Sequence, residues 1–211
     1  MVMKLIFYGP PGAGKGTQAK LVADHFNLKH ISTGAIFRKH IGEGSELGIL
    51  AASYIDKGHL VPNDVTLKIL KTALDEAKDG FLLDGYPRNL DQSKSLSEIT
   101  DIDKVINIDI TDEEAIKRQT GRRTCKKCGA MFNNNIPFLN PKVEGICDHC
   151  ESELEIRSDA EPEIVKERLR VYHEQSAPAL SYYEEQDKLV NINGDQAIDA
   201  IFEEIKSALE D

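Results

Sequence analysis

The sequence predicts an α/β protein, with a doubly wound parallel sheet of about five strands and helices on both faces. Short apolar runs alternate with stretches of helical periodicity, and the first apolar run ends in a glycine-rich turn that opens a helix. This alternation breaks between residues 121 and 160, where all four cysteines lie. We therefore expect one domain over residues 1–211 with a small β-rich insert.

Strands are predicted where a short apolar run is bounded by turn residues, at 4–8, 28–31, 81–84, 105–110 and 189–192. Helices are predicted where apolar residues recur at helical spacing or a capping residue opens the stretch, at 14–26, 33–41, 45–56, from 62 onward, 111–122, 162–185 and 197–209.

Local signals indicate where several helices begin. Pro62 suits the start of one helix, with Asn63 or Asp64 as its cap. The run Thr111-Asp112-Glu113-Glu114 matches a capping box. Pro162 suits the start of the long helix that runs toward Glu185.

The charge balance excludes several classes of partner. The chain has 26 Lys and Arg against 36 Asp and Glu, a formal net charge of −10, and this disfavours non-specific binding to nucleic acid or anionic membranes. No apolar run approaches the ~20 residues of a membrane span, and the N-terminal apolar run meets a Gly-Pro turn too early for a signal peptide. We predict a cytoplasmic monomer without a nucleic-acid or membrane partner.

The run Gly9-Pro10-Pro11-Gly12-Ala13-Gly14-Lys15-Gly16-Thr17 has the spacing of a phosphate-binding loop (P-loop) between a strand and a helix. Glycines let backbone N–H groups curl around an anion, and the helix N-terminus adds positive charge. We expect Lys15 to bridge the β- and γ-phosphates and the Thr17 hydroxyl to lie close to Mg²⁺. Asp84 ends an apolar strand and is either a partner for that magnesium or a cap for the next turn. The loop alone leaves open a GTPase, an ATPase or a small-molecule kinase. Its predicted nucleoside-triphosphate contacts are Gly12, Ala13, Gly14, Lys15, Gly16 and Thr17.

Further motifs follow the loop in order: Ser32-Thr33-Gly34 with Arg38, then Asp84-Gly85-Tyr86-Pro87-Arg88 with Gln92, then Gly121-Arg122-Arg123. Together they resemble the nucleoside monophosphate kinases, specifically the adenylate kinases with a long lid, over essentially the whole chain. The resemblance implies reversible, Mg²⁺-dependent phosphoryl transfer from ATP to AMP, giving two ADP. It also implies two mobile parts, an acceptor segment over residues 32–61 and a lid over residues 121–160.

The resemblance assigns roles to six of the eight arginines. Arg38 and Arg88 would hold the acceptor phosphate, Arg122 the donor phosphates, and the remaining three would close on the transferring group. The implied catalytic set is Lys15, Asp84, Arg88, Arg118, Arg122, Arg157 and Arg168. The implied AMP contacts are Thr33, Arg38, His59, Leu60, Val61, Gly85, Tyr86, Pro87, Arg88, Gln92, Arg157 and Arg168. The remaining implied ATP contacts are Arg118, Arg122, Met131, Phe132 and Gln196, with Phe132 either a stacking platform or part of a hairpin core.

Two residues depart from the pattern of the family. An acidic residue usually follows Ser-Thr-Gly, and here it is Ala35. Paired aspartates usually follow the arginine at the lid hinge, and here Asp159 is followed by Ala160. Because the cations are intact, we still expect activity; the properties that these two changes would alter are magnesium affinity and donor stringency.

The four cysteines form two pairs, Cys125-x-x-Cys128 and Cys147-x-x-Cys150, separated by 147 − 128 − 1 = 18 residues. This spacing is typical of a zinc site, and four thiolates leave no open position for catalysis. We predict a structural Zn²⁺; disulfides and an iron site of the same shape are the alternatives.

Two other functions stay open from the sequence. The cysteine module could bind nucleic acid or protein, with the kinase domain as a switch; the basic Lys126-Lys127 pair permits this, whereas the second cysteine pair is acidic. Alternatively, the donor is GTP, or the acceptor is UMP or CMP. The long lid favours an adenylate kinase over the pyrimidine kinases, which resemble it but have short lids.

Overall fold

The computed structural model describes residues 2–77 and 79–210; of the predicted domain 1–211, Met1, Lys78 and Asp211 lie outside the described residues. Its strands are β1 (Lys4–Tyr8), β2 (Lys29–Ser32), β3 (Phe81–Asp84), β4 (Lys104–Asp109), β5 (Arg122–Cys125), β6 (Met131–Asn133), β7 (Leu154–Glu155) and β8 (Leu189–Asn193). Its α-helices are α1 (Lys15–Phe26), α2 (Thr33–Gly42), α3 (Glu46–Ile55), α4 (Asn63–Asp75), α5 (Leu90–Ser97), α6 (Asp112–Thr120), α7 (Pro162–Val171), α8 (Pro178–Glu184) and α9 (Ile198–Glu210).

The central sheet is parallel and, within the described residues, has five strands in the order β2–β3–β1–β4–β8. Side chains of β1 alternate between its two faces. Leu5 and Phe7 pack into a core with α1 and α9, whereas Ile6 and Tyr8 pack into a second core with α4, α5 and α8. Apolar cores on both faces confirm the predicted doubly wound α/β fold.

The helix starts show one error of sequence interpretation. Neither Asn63 nor Asp64 caps α4: its N-cap residue is Pro62, and no side chain accepts a capping hydrogen bond. Asn63 is instead the first helical residue, and its side chain is used elsewhere, as described below. The cap at Thr111 is as predicted, since its hydroxyl accepts the Glu114 N–H at 3.2 Å.

Two further helical features differ from the sequence prediction. The short helix α5 was not expected, because Leu90–Ser97 carries few apolar residues. The long helix predicted over 162–185 is divided by a π-helical turn at Tyr172–Ser176. Pro178 has no backbone N–H, so the regular hydrogen bonding cannot continue there, and the Ala177 N–H bonds back to the Tyr172 carbonyl at 2.8 Å.

The insert folds as a small antiparallel sheet in the order β6–β5–β7. Its buried core consists of Cys125, Phe132 and Cys147, with three partly buried neighbours. This confirms the predicted β-rich insert. None of the helices described is long and apolar enough to cross a membrane.

The acceptor segment has a small core of its own, in which α2 packs against α3. The Gly48 Cα lies so close to α2 that an added Cβ would stand 2.1 Å from the His40 carbonyl oxygen. We expect Gly48→Ala to force the two helices apart and to cost on the order of 2 kcal/mol of unfolding free energy. Thermal melting measures this loss.

Gly42 is the matched control, because it lies in α2 and an added Cβ would meet no atom within 4 Å. Gly42→Ala should leave the melting temperature unchanged or raise it slightly, since alanine favours a helix. Equal melting temperatures for the two variants would show that this contact does not hold the segment together.

Candidate functional site

A cleft of about 360 Å³ opens at the carboxyl ends of β1, β2 and β3. In the strand order, β2 and β3 lie to one side of β1, whereas β4 and β8 lie to its other side. The connections that leave β1 and β3 therefore lead in opposite directions along the sheet. Ligands of doubly wound sheets bind at such a switch point, because the loops diverge there and leave a crevice.

The glycine-rich loop between β1 and α1 forms the floor of the cleft. Gly9, Gly12 and Gly14 have φ of 137°, 93° and 86°, which side-chain-bearing residues rarely adopt. At Gly9 the backbone also passes so close to β4 that a Cβ would lie 2.3 Å from the Ile108 carbonyl oxygen. The helix that follows presents its N-terminus to the cleft, which favours an anion at this point.

Lys15 folds back over the loop. Its ammonium donates to the carbonyl oxygens of Gly9 at 2.7 Å and Pro10 at 2.8 Å. Desolvation lowers the pKa of Lys15 to about 7; nearby arginines also lower it, and the Asp84 carboxylate opposes the shift. A bound phosphate would place a compensating negative charge beside this ammonium.

Asp84 ends β3 beside the loop. Burial raises its pKa, but the hydrogen bond from His30 and the charge of Lys15 outweigh burial and hold the pKa below its usual range. The His30 Nε2 atom lies 3.5 Å from the Asp84 Oδ2 atom. An ionised carboxylate beside the Thr17 end of the loop suits a hydrated Mg²⁺ bound to phosphates.

Asp159 gathers two arginines at the opposite wall. Its carboxylate accepts from Arg157 Nε at 2.9 Å and Nη2 at 2.6 Å, and from Arg168 Nη1 at 2.8 Å. Burial opposes its ionisation, yet Arg168 and Arg157 hold the pKa of Asp159 below its usual range. Burial lowers the pKa of Arg122 and of Arg168 to about 10, with a smaller contribution from the charge of Arg157, so both stay charged at neutral pH.

The acceptor side is built from the turn after β3. The Gly85 carbonyl accepts from Thr33 Oγ1 and Arg88 Nε, both at 2.8 Å, which ties the start of α2 to this turn. Burial, with a smaller contribution from the charge of Arg157, lowers the pKa of Arg38 to about 10. Gln92 lies at the same wall, 3% exposed.

Most of the predicted site residues line this one cleft. Those that do are Gly12, Gly14, Lys15, Gly16, Thr17, Thr33, Arg38, His59, Leu60, Val61, Asp84, Gly85, Pro87, Arg88, Gln92, Arg122, Met131, Arg157 and Arg168. Five predicted residues lie outside its lining, namely Ala13, Tyr86, Arg118, Phe132 and Gln196.

Comparison with known proteins decides the family. A family model described as adenylate kinase matches residues 7–188. The adenylate kinase of Caldanaerobacter subterraneus subsp. tengcongensis is 47% identical over 214 residues, covering 98% of this chain and 96% of the relative. Those of Clostridioides difficile (strain 630) and Methanothrix thermoacetophila are each 45% identical, covering 98% of both chains.

The chain belongs to the adenylate kinase family. It is a phosphotransferase of the nucleoside monophosphate kinase class, which moves a phosphoryl group reversibly from ATP to AMP and gives two ADP. Adenylate kinases use Mg²⁺ with ATP.

The five residues outside the cleft lining have other surroundings. Ala13 and Tyr86 are buried in the protein, and Phe132 belongs to the core of the insert, as one of its two predicted roles required. Arg118 donates to Glu114 Oε1 at 2.7 Å and to the Gly194 carbonyl at 3.1 Å. Gln196 is exposed and donates to the Asn193 carbonyl at 2.9 Å and to Glu204.

Several cleft residues were not among the site residues that the sequence predicted. Asp159 was noted only as a hinge carboxylate, and its neighbour Gln119, 1% exposed, accepts from Arg168 Nη1 at 3.3 Å. His30 stands beside Asp84. A single histidine or glutamine in an alternating α/β sequence carries no positional signal, so only the fold reveals these neighbours.

The four thiol groups of the insert are free and face one another. Their Sγ atoms all lie within 4.8 Å of one another, with 3.4 Å between Cys125 and Cys150 and 3.5 Å between Cys128 and Cys147. A disulfide requires about 2.05 Å. Tetrahedral zinc, with Zn–S of about 2.3 Å, places sulfurs about 3.8 Å apart. The donor set therefore fits a four-thiolate metal and not the disulfide alternative.

The environment of Lys15 yields a prediction about stability. The folded-state pKa of Lys15 lies below its usual value near 10.4, so unfolding takes up a proton between these pH values, and the parent gains stability as the pH rises through that interval. Lys15→Met removes the desolvated cation. In nucleotide-free, phosphate-free buffer, its melting temperature should exceed that of the parent at pH 7, and the difference should shrink as the pH approaches 10.

Lys20→Met is the control, because Lys20 is an exposed residue of the same helix. Its melting temperature should differ from that of the parent by the same small amount at every pH. If the difference in melting temperature between Lys15→Met and the parent also stays constant with pH, the desolvation of Lys15 is contradicted.

Proposed function

We propose that the cleft performs the ATP-to-AMP transfer with the donor phosphates on the glycine-rich loop and the acceptor phosphate between Arg38 and Arg88. The observation that carries this assignment is the convergence of six cationic side chains on one cleft: Lys15, Arg38, Arg88, Arg122, Arg157 and Arg168. Two nucleotides bring several negative charges that repel each other, and this set of cations offsets that repulsion.

On the donor side, backbone N–H groups of the loop and the Lys15 ammonium hold the β- and γ-phosphates. The Thr17 hydroxyl and the Asp84 carboxylate would hold the magnesium ion with its water shell, and the ion supplies charge neutralisation between the phosphates. His30 orients Asp84 in this arrangement.

On the acceptor side, Arg88 is held by its bond to the Gly85 carbonyl and Arg38 projects from α2. An AMP phosphate oxygen is already anionic, so its attack on the γ-phosphorus of ATP needs no general base. The bond between the γ-phosphorus and the oxygen that bridges it to the β-phosphorus breaks, and that oxygen remains on the departing ADP. The residues that line the base pocket are Thr33, His59, Leu60, Val61 and Gln92.

The lid, residues 121–160, brings cations to the transferring group from both of its ends. Arg122 begins β5 and Arg157 precedes the hinge turn, and both line the cleft together with Arg168. Closure of the insert over bound nucleotides would exclude water, which would otherwise accept the phosphoryl group. The contacts of Asp159 with Arg157 and Arg168 hold the hinge side of this arrangement before phosphates replace them.

Lys15→Met tests the donor assignment. The variant keeps the fold, as argued above, but loses the cation over the donor phosphates. We expect its kcat/KM for ADP formation from ATP and AMP to fall on the order of 100-fold or more, which corresponds to about 3 kcal/mol of transition-state stabilisation. Lys20→Met should match the parent. Near-parental turnover by folded Lys15→Met would refute the donor assignment.

We also propose that the four thiolates bind one structural Zn²⁺, that the enzyme works as a monomer in the cytoplasm, and that nucleic acids and membranes are not its partners. Free thiols and a thiolate metal site suit a reducing compartment. The net charge of −10 opposes attraction to polyanions.

Replacement of Cys147 and Cys150 by serine tests the zinc proposal. Zinc ligation is worth on the order of 10 kcal/mol in small zinc peptides, far more than the small core of the insert provides. The double variant should lose its metal, and the insert should unfold at lower temperature, with turnover lost at elevated temperature while the central sheet stays folded. Elemental analysis and melting curves measure these changes.

Lys127→Ser is the matched control, because Lys127 is an exposed residue within the first cysteine pair and its replacement leaves all four thiols. It should retain one zinc per chain and the parental melting curve. A metal-free double variant that melts and turns over like the parent at elevated temperature would refute the structural role, and iron in place of zinc would refute the identity of the metal.

A further inference from the structure

We infer that Asn63 and Asn89 are positioning residues that fix the orientation of the Gln92 side-chain amide, and thereby make the acceptor site select adenine over 6-oxopurines. The inference rests on the proposed acceptor role of Gln92. It concerns two residues at the starts of neighbouring helices, Asn63 in the first turn of α4 and Asn89 at the N-cap of α5.

Both ends of the Gln92 amide are already bonded. Its Oε1 atom accepts the Arg88 backbone N–H at 2.7 Å, and its Nε2 atom donates to Asn63 Oδ1, also at 2.7 Å. An amide oxygen accepts two hydrogen bonds and an amide nitrogen donates two, so one acceptor position and one N–H remain for a ligand. Gln92 lines the cleft, where a base would meet them.

The orientation of all three side-chain amides follows from two backbone donors. The Gln92 backbone N–H bonds to Asn89 Oδ1 at 2.8 Å, and because a backbone N–H only donates, an oxygen must stand there. The Asn89 Nδ2 atom then donates to Asn63 Oδ1 at 3.3 Å. That same oxygen receives Gln92 Nε2, and the Arg88 N–H at the far end requires Gln92 Oε1.

A fixed amide discriminates between purines. Adenine presents an amino donor beside a ring-nitrogen acceptor, whereas a 6-oxopurine presents a carbonyl acceptor beside a ring N–H donor. A glutamine free to rotate by 180° about its last bond would serve both edges. With both ends of its amide fixed, Gln92 can pair with the adenine edge only. A 6-oxopurine in the same place leaves buried polar groups unpaired, which costs binding free energy.

The position of Asn63 also supports this role. It stands at a helix start, where asparagine often caps, yet no side chain caps α4 and its Oδ1 atom is directed to Gln92 and Asn89 instead. Asn63 itself is exposed, so its contribution acts through Gln92 rather than through the packing of α4.

Asn63→Ala and Asn63→Asp test the inference, with AMP and IMP as competing acceptors. In Asn63→Ala the Arg88 N–H still favours the parental orientation of the Gln92 amide, but the second orienting bond, from Gln92 Nε2, is lost. The ratio of kcat/KM for AMP to that for IMP should therefore fall about tenfold, the effect of losing one such hydrogen bond. The change should lie in KM, with kcat for AMP within about twofold of the parent. Aspartate keeps an oxygen for both donors and should retain the parental ratio.

Three further variants complete the experiment. Asn63→Ser should behave like Asn63→Ala, because the serine side chain is too short to reach Gln92. Serine also suits a helix start, so this variant keeps the inference testable if Asn63→Ala folds poorly. Asp64→Ala truncates the adjacent exposed residue of α4 and should match the parent. Gln92→Ala removes the base contact itself and should abolish most of the preference.

The outcomes separate the inference from the proposed function. An unchanged ratio in Asn63→Ala and Asn63→Ser, with the ratio lowered in Gln92→Ala, would overturn the positioning role alone. An unchanged ratio in Gln92→Ala would overturn the acceptor role of Gln92 and the inference with it. A loss of kcat at constant ratio in Asn63→Ala would also overturn it, since that result indicates a purely structural contribution. A parent that does not phosphorylate AMP would refute the proposed function itself.

Discussion

The concentration of positive charge in one cleft is the constraint on which the rest of the structure depends. The protein as a whole is acidic, with a net charge of −10, yet five arginines and Lys15 line this single space. Two carboxylates, the partly buried Asp84 and the buried Asp159, offset part of that charge, and the phosphates of two nucleotides are suited to offset the remainder. Burial is the main cause of the lowered pKa of Lys15, and the neighbouring arginines lower it as well, against the opposing charge of Asp84.

These charges come from separate parts of the chain, so the fold must bring the parts together. The acceptor segment meets the lid hinge where Ser158 Oγ donates to Asp56 Oδ1 at 2.9 Å, and it meets α7 where His59 Nε2 lies 3.1 Å from Glu167 Oε1. A Cβ at Gly58 would lie 3.1 Å from the Ile164 carbonyl oxygen, so the segment backbone packs directly on α7. Because α7 carries Arg168, three features share this helix as their support: the turn of the acceptor segment, the hinge, and the arginine that we assign to the transferring phosphate.

The sequence predicted the parallel sheet well, because buried strands are short apolar runs bounded by turn residues. It missed α5, whose polar composition hides its periodicity, although the Asn89 cap was a usable signal. The expected cap at Asn63 failed for a tertiary reason: its side-chain oxygen is bonded across to α5. Motif order predicted the five arginines that line the cleft, and also Arg118, which lies outside its lining. Partners such as Gln119 and His30 depend on how strands and helices are placed side by side, which no local pattern records.

The insert, residues 121–160, has a small buried core, so its shape depends on what holds its two ends. At the far end, four sulfur atoms converge to a spacing that suits a metal. At the near end, Asn133 Nδ2 donates to the Arg118 carbonyl at 2.7 Å, and Gly121 leaves no room for a Cβ beside Asn133 Oδ1. Arg122 follows Gly121 directly, so the side chain that we assign to the donor phosphates stands at this near end. A metal on the four thiolates would hold the far end of β5, because Cys125 is its last residue.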